Sequence, residues 1–242
     1  MVVLDKGHFV KGLLLTISFG IVLFIMFMPW FGTNPRTNQP QNAMEAADDL
    51  FNAISKGSTH YIPDLQKKNQ AFTGVNIDLN IRLKSNELAQ KTSKVLSMAG
   101  AKVSGEGVQL KVEGDLGKII TAALKDSDEL FFNREAHFQT KYGLSGREVI
   151  YAWWSAFKDF DKDLKRQNKF REAAFVSDVT KKGLEVAFNF AGIEPQSVTS
   201  KAGILGFSLV FYVVYTLWWG IAIFFLFEGF GLQMKAGAKK EV

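Results

Sequence analysis

The sequence predicts a membrane protein in which two transmembrane α-helices flank an extracytoplasmic α+β domain, a small β-α-β-α unit followed by a long amphipathic helix or helical pair. Three observations lead there: an uncharged apolar run near each end of the 242-residue chain, a strictly alternating segment at residues 75–83, and helical periodicity through most of residues 86–190.

The first run, Gly12 to Phe31, has twenty residues without a charge, and the second, Gly203 to Phe227, has twenty-five. At about 1.5 Å per residue they reach roughly 30 and 37 Å, against a hydrocarbon core of about 30 Å. Core helices of soluble proteins keep a polar face, and these runs have none. Lys6 and Lys11 could open a signal peptide, but the apolar run is too long and FMPWFGTNP lacks a small-x-small cleavage site. An uncleaved signal-anchor is expected over 12–31, with a second span over 203–227.

Charge close to the spans sets orientation. Lys6 and Lys11 precede the first span and Lys235, Lys239 and Lys240 follow the second, while only Arg36 and Lys201 lie near the spans on the other side. Residues 1–11 and the tail 228–242 are therefore expected in the cytoplasm, and the middle outside it, which for a bacterial inner membrane is the periplasm. Trp30 is placed as an aromatic anchor at the outer interface.

The formal net charge is +5, from 29 basic and 24 acidic residues. Five of the former and three of the latter flank the spans, which leaves 24 and 21, a mixed surface that argues against a nucleic-acid partner. The absence of cysteine excludes a disulfide framework, c-type haem attachment, thiolate metal sites and a lipoprotein anchor.

Residues 32–41, with two prolines in TNPRTNQPQN, read as an extended linker. The α+β unit is expected over 42–144. Asn42 and Glu45 form a capping pair for a helix reaching about Lys56, with Leu50, Phe51 and Ile54 on its apolar face and Gly57 as its stop. Val75, Ile77, Leu79, Ile81 and Leu83 alternate with polar residues and predict a half-buried strand. A helix opening at Asn86 carries Leu88, Thr92, Val95, Leu96 and Ala99 on one face and stops at Gly100. Val108, Leu110 and Val112 alternate again after the turn signal SGEG, and Asp115 caps a helix through Ile119, Ile120, Ala123 and Leu124.

The membrane-proximal segment 145–200 is helical. Ser145 and Glu148 make a capping box, and Val149, Trp153, Ala156, Phe157, Phe160 and Leu164 form its core face. The pattern slips at RQNK, residues 166–169, which favours an antiparallel pair over one bent helix.

No catalytic, cofactor-binding or metal-binding set is predicted. DFDKD at 159–163 begins like a calcium loop, but positions 6 and 12 are Leu164 and Phe170 rather than glycine and glutamate, so it reads as a solvated charged face. His8, His60 and His137 lack metal-binding spacing, and His137 beside Glu135 and Arg134 reads as a polar surface residue. P-loop, dinucleotide, GxSxG and HExxH patterns are missing.

The more specific signals lie in the spans. Gly12, Thr16 and Gly20 recur every four residues, the spacing at which helix backbones approach closely. Ser208, Tyr212, Tyr215 and Trp219 form one stripe, and Trp218 with Trp219 stands near mid-span, where lipid tails cannot accept an indole hydrogen bond. Glu228 marks the inner headgroup region or bonds to a partner. These nine residues are the candidate helix-packing interface. The expected function is a non-catalytic structural or assembly subunit of an inner-membrane complex, whose partners are other membrane subunits or a further copy of itself within the bilayer. A ligand-binding sensor module signalling through a partner is the alternative. The layout also resembles that of polysaccharide co-polymerases, which set an α/β and long-helix domain between two spans and form homo-oligomers, although their proline-rich segment before the second span is missing and Pro195 stands alone.

Overall fold

Local chemistry sets where each helix begins and ends. In the computed structural model, which describes residues 5–34 and 37–232, the chain divides into two units, 1–54 with 195–242, and Ser55–Glu194. Arg36, Lys235, Lys239 and Lys240, on which the orientation argument leans, lie outside the described residues.

In the first unit, α1 (Lys6–Phe27) is capped by Asp5, whose carboxylate accepts from the His8 N–H at 3.0 Å. The helix stops at Phe27 rather than continuing to Phe31. Met28 precedes Pro29, and crowding from the proline ring drives that residue to the extended conformation it adopts, φ −72° and ψ 145°. α10 (Val198–Gly229) is capped by Ser197 and exceeds the expected 203–227 at both ends. Both helices are long and apolar enough to cross a membrane.

The described residues between Phe31 and Gln41 do not form the expected extended linker. Phe31 N–H donates to the Gln41 carbonyl at 3.0 Å, Gln41 N–H to Gly32 at 2.9 Å, and Asn34 N–H to Gln39 at 2.9 Å, so the segment doubles back on itself. The Gln41 and Asn34 side-chain amides both donate to Asp49 of α2 (Ala43–Lys56), which ties the loop down. Asn42 Oδ1 accepts from the N–H groups of Met44 and Glu45, and Glu45 returns a bond to Asn42 N–H at 3.0 Å. Phe51, expected on the apolar face of α2, is exposed, and Ala53 is buried instead.

The second unit begins with the last turn of α2 and α3 (Ile62–Asn69), which has Pro63 in its first turn. β1 (Asn76–Arg82) alternates buried and exposed residues. α4 (Asn86–Met98) is capped by Ser85, one residue before the expected start. β2 (Lys102–Ser104) and β3 (Gln109–Asp115) form a hairpin whose turn uses the positive φ of Gly105 and Gly107, conformations a side chain would strain. β3 lies between the other strands, antiparallel to both, with Val112 opposite Leu79 on one side and Val103 on the other.

α5 (Leu116–Phe131), capped by Asp115, packs beside α6 (Glu135–Tyr142) and α7 (Gly146–Arg166). The Ser145–Glu148 capping box is formed in full. Asn168, with φ 60°, reverses the chain into α8 (Phe170–Val179), which continues through a π-helical turn, Thr180–Leu184, into α9 (Glu185–Asn189). The return lies along α7: Trp154 Nε1 donates to Glu185 and Arg147 sits over Phe188, so the RQNK slip is a turn between antiparallel helices. The sheet segment and these helices share one core, centred on residues such as Leu79, Val112, Ile120 and Phe157.

The DFDKD face is not simply solvated. Asp163 accepts from Asn80 N–H and Asp159 from Arg82 N–H, each at 2.9 Å, and Gln167 Nε2 donates to the Asp78 carbonyl at 2.8 Å. Carboxylates one helical turn apart, about 6 Å, meet strand amides two residues apart, about 6.7 Å. α7 thus covers the outer edge of β1 with side chains, while Asp161 pairs with Lys165 at 2.7 Å.

Candidate functional site

The first candidate is the seam between α1 and α10, which run antiparallel. At one end Asp5 N–H donates to the Gly229 carbonyl at 3.1 Å. A Cβ on Gly12 would stand 2.6 Å from the Leu226 nitrogen, and one on Gly229 the same distance from Phe9 Cα, so each helix needs glycine where the other's backbone touches it. Phe19 fills the centre of the seam, its ring 4.2 Å from Tyr215, 4.7 Å from Trp219 and 6.2 Å from Trp218 between centroids. Trp218 Nε1 donates to the Leu15 carbonyl at 3.1 Å. That bond accounts for an indole in the middle of an apolar helix: its donor is satisfied by the neighbouring backbone.

Glu228 lies 3.6 Å from His8 Nε2, whose ring stacks on Phe225. Of the nine predicted interface residues, Gly12, Tyr215, Trp218, Trp219 and Glu228 therefore meet α1 or its partner helix. Thr16 is half-buried, and its hydroxyl bonds back to the Gly12 carbonyl. Gly20 and Tyr212 stay outside the seam, and Ser208 is half-buried. Gly20 faces open space, the Ser208 hydroxyl returns to Ile204 of its own helix, and Tyr212 is 68% exposed. The face of α10 that meets α1 runs through Tyr215, Trp218 and Ala222, about 60° round from the stripe read from sequence.

The second unit holds two buried polar clusters that motif spacing does not single out. Asp126 of α5 is wholly buried and its two oxygens receive four donors. Oδ2 takes the Tyr142 hydroxyl at 2.6 Å and Trp153 Nε1 at 2.9 Å, while Oδ1 faces His137 Nε2 and Lys141 Nζ, both at 3.0 Å. Burial first, and then the bond to Asp126, pushes the Tyr142 phenol well above its ordinary range. His137 is accordingly part of a buried carboxylate's shell rather than a plain surface residue. Lys56 is the other case: its ammonium donates to the carbonyls of Ile193 at 2.5 Å and Phe190 at 3.2 Å and lies over the Phe131 ring. Burial lowers its pKa, partly offset by Glu194.

All three histidines face a carboxylate, His8 with Asp5, His60 with Asp128 and His137 with Asp126. Among the described residues no group of three or more such side chains is arranged to hold a metal ion. Asp126 pins α6 to α5 and α7, and Lys56 pins the end of α2 to the segment after α9. Chemically both are fasteners. No known protein family, curated protein or solved structure matches the chain.

Proposed function

We propose that the chain spans a bilayer twice, with both termini cytoplasmic and the Ser55–Glu194 unit on the opposite side of a bacterial inner membrane, as a non-catalytic structural or assembly subunit of a membrane complex. The observation that carries this reading is the lopsided use of α10. One face is satisfied by α1, while Phe207, Val210, Tyr212 and Leu217 remain largely exposed. The Tyr212 hydroxyl has no hydrogen-bond partner among the described residues and sits near the middle of the apolar helix. Lipid tails offer no acceptor for it, whereas another membrane helix does. Extraction in mild detergents followed by cross-linking and mass spectrometry tests this: defined partners or further copies are expected, and recovery as a lone monomer in every detergent refutes it.

A second reading, as a ligand-binding sensor, has one observation behind it. A shallow groove of about 680 Å³ opens between β1, the β2–β3 turn and the end of α7, lined by Arg82, Glu106, Lys111 and Arg166 among others. A thermal-shift screen of residues 42–200 against small anions and periplasmic ligands separates the two, since only the sensor expects a hit.

A further inference from the structure

The solvent-facing side of α7 is rich in aromatic and basic residues, of which Trp154 also packs against the core. Arg147, Tyr151, Trp154 and Lys158 recur at helical spacing and fall within an arc of about 60°, opposite the core face of Trp153, Phe157 and Phe160. Apart from the Trp154 indole N–H, which donates to Glu185 at 2.9 Å, they bind to one another and to the returning helix. Tyr151 stacks on Trp154 at 5.7 Å, Lys158 lies over the Trp154 ring at 5.0 Å, and Arg147 lies over Phe188 at 5.0 Å and donates to the Ala191 carbonyl. Among the described residues neither Arg147 nor Lys158 has a carboxylate partner, unlike Lys162 and Lys165 further along the face, which pair with Asp159 and Asp161. The ring of Trp154 is already covered by its neighbours and its N–H is taken by the half-buried Glu185, which leaves two cations, that one carboxylate and the exposed phenol of Tyr151 at the surface.

We propose that this face of α7 docks on the anionic headgroups of the bilayer. Cations held on aromatic rings, with amphipathic Tyr and Trp beside them, are what an anionic water–lipid interface accepts: phosphates pair with the cations and the rings sit at headgroup level. The inference rests on the proposal that α1 and α10 span a bilayer, because that tether keeps the surface at high effective concentration and lets two cations suffice. Attraction of this kind contributes about fivefold per basic side chain at low salt and fades beyond a Debye length of about 10 Å.

The chain has no cysteine, so Ser155→Cys, at the rim of the face, accepts a single nitroxide label in the full-length protein. The labelled chain is placed in nanodiscs of phosphatidylcholine alone or mixed equally with phosphatidylglycerol, and access of a water-soluble nickel complex to the label is measured. In the anionic discs access is expected to fall at least about fivefold. Arg147→Glu with Lys158→Glu should abolish the fall, and Lys158→Gln alone should weaken it while leaving the Arg147–Ala191 bond intact. Equal access in both discs overturns the proposal, as does protection that survives charge reversal, or protection seen only when a soluble acidic polysaccharide is added. Carbonate extraction of the reconstituted chain reports on insertion separately. A chain that washes out refutes the spanning reading and this proposal together, whereas a chain that stays in with an accessible label refutes this proposal alone.

Discussion

Asp126→Ala should be among the most costly single substitutions in the chain. It removes the acceptor of two wholly buried donors, the Tyr142 hydroxyl and the Trp153 indole N–H. Each orphaned donor costs about 1–3 kcal/mol. His137 and Lys141, whose side chains are 21% and 27% exposed, can turn to water and add little. The total is about 3–5 kcal/mol, the range for breaking one partner out of a buried charged network, against about 5–15 kcal/mol for a whole domain. Urea titration of the detergent-solubilised chain, followed by tryptophan fluorescence, measures it. The sharper test is the double variant. Tyr142→Phe alone should cost about 1–2 kcal/mol, since it takes a donor from a buried carboxylate. In the Asp126→Ala background the same change should regain about 1 kcal/mol, because it deletes an orphaned hydroxyl. A loss below about 1 kcal/mol for Asp126→Ala, or the same cost for Tyr142→Phe in both backgrounds, would refute the reasoning.

Two further outcomes are expected from the geometry. Gly12→Ile should separate α1 from α10, whereas Gly20→Ile, facing open space, should not; disulfide trapping between cysteines introduced at Leu15 and Trp218 should drop several-fold for the first only. Lys91, bonded at 2.8 Å, and then the backbone and hydroxyl of Ser145 pull Glu148 down to about 2 from 4.5. Its contribution to stability is therefore present above about pH 4.5 and is lost as pH falls toward 2. After allowance for an exposed side chain it is on the order of 1 kcal/mol. Glu148→Gln should flatten the acid limb of the stability curve by that amount, and an unchanged limb would show the capping box to be energetically silent.

Local periodicity made most elements readable. The alternation of Val75 to Leu83, the cap at Asp115 and the Ser145–Glu148 box each encode structure within a few residues, and the turn at RQNK is where a helical stripe loses phase. Met28–Pro29 also carried the end of α1 in plain view, but length matching to a bilayer outweighed it. What stayed hidden depends on residues far apart. Asp126 stands on the apolar stripe of α5 between Ala123 and Leu130, an anomaly visible in one dimension, yet its donors come from α6 and α7. Asn34 and Gln41 are held by Asp49 in the next helix, and polar, proline-containing sequence gives no hint of that anchor. In α10 the stripe of similar residues lies about 60° from the face that meets α1, so Trp218 rather than Tyr212 faces that helix.

The carboxylates of Asp159 and Asp163 on the amides of β1 have a consequence for assembly. A sheet with two open edges is a template in both directions, and identical copies can add without end. Here one side is terminated, and the other offers only the three residues of β2. Strand pairing between copies can therefore close a two-fold dimer through β2 but cannot propagate into a fibre, because each added copy presents a finished edge. An arrest of polymerisation built into one helical turn is a safeguard that requires no further residue.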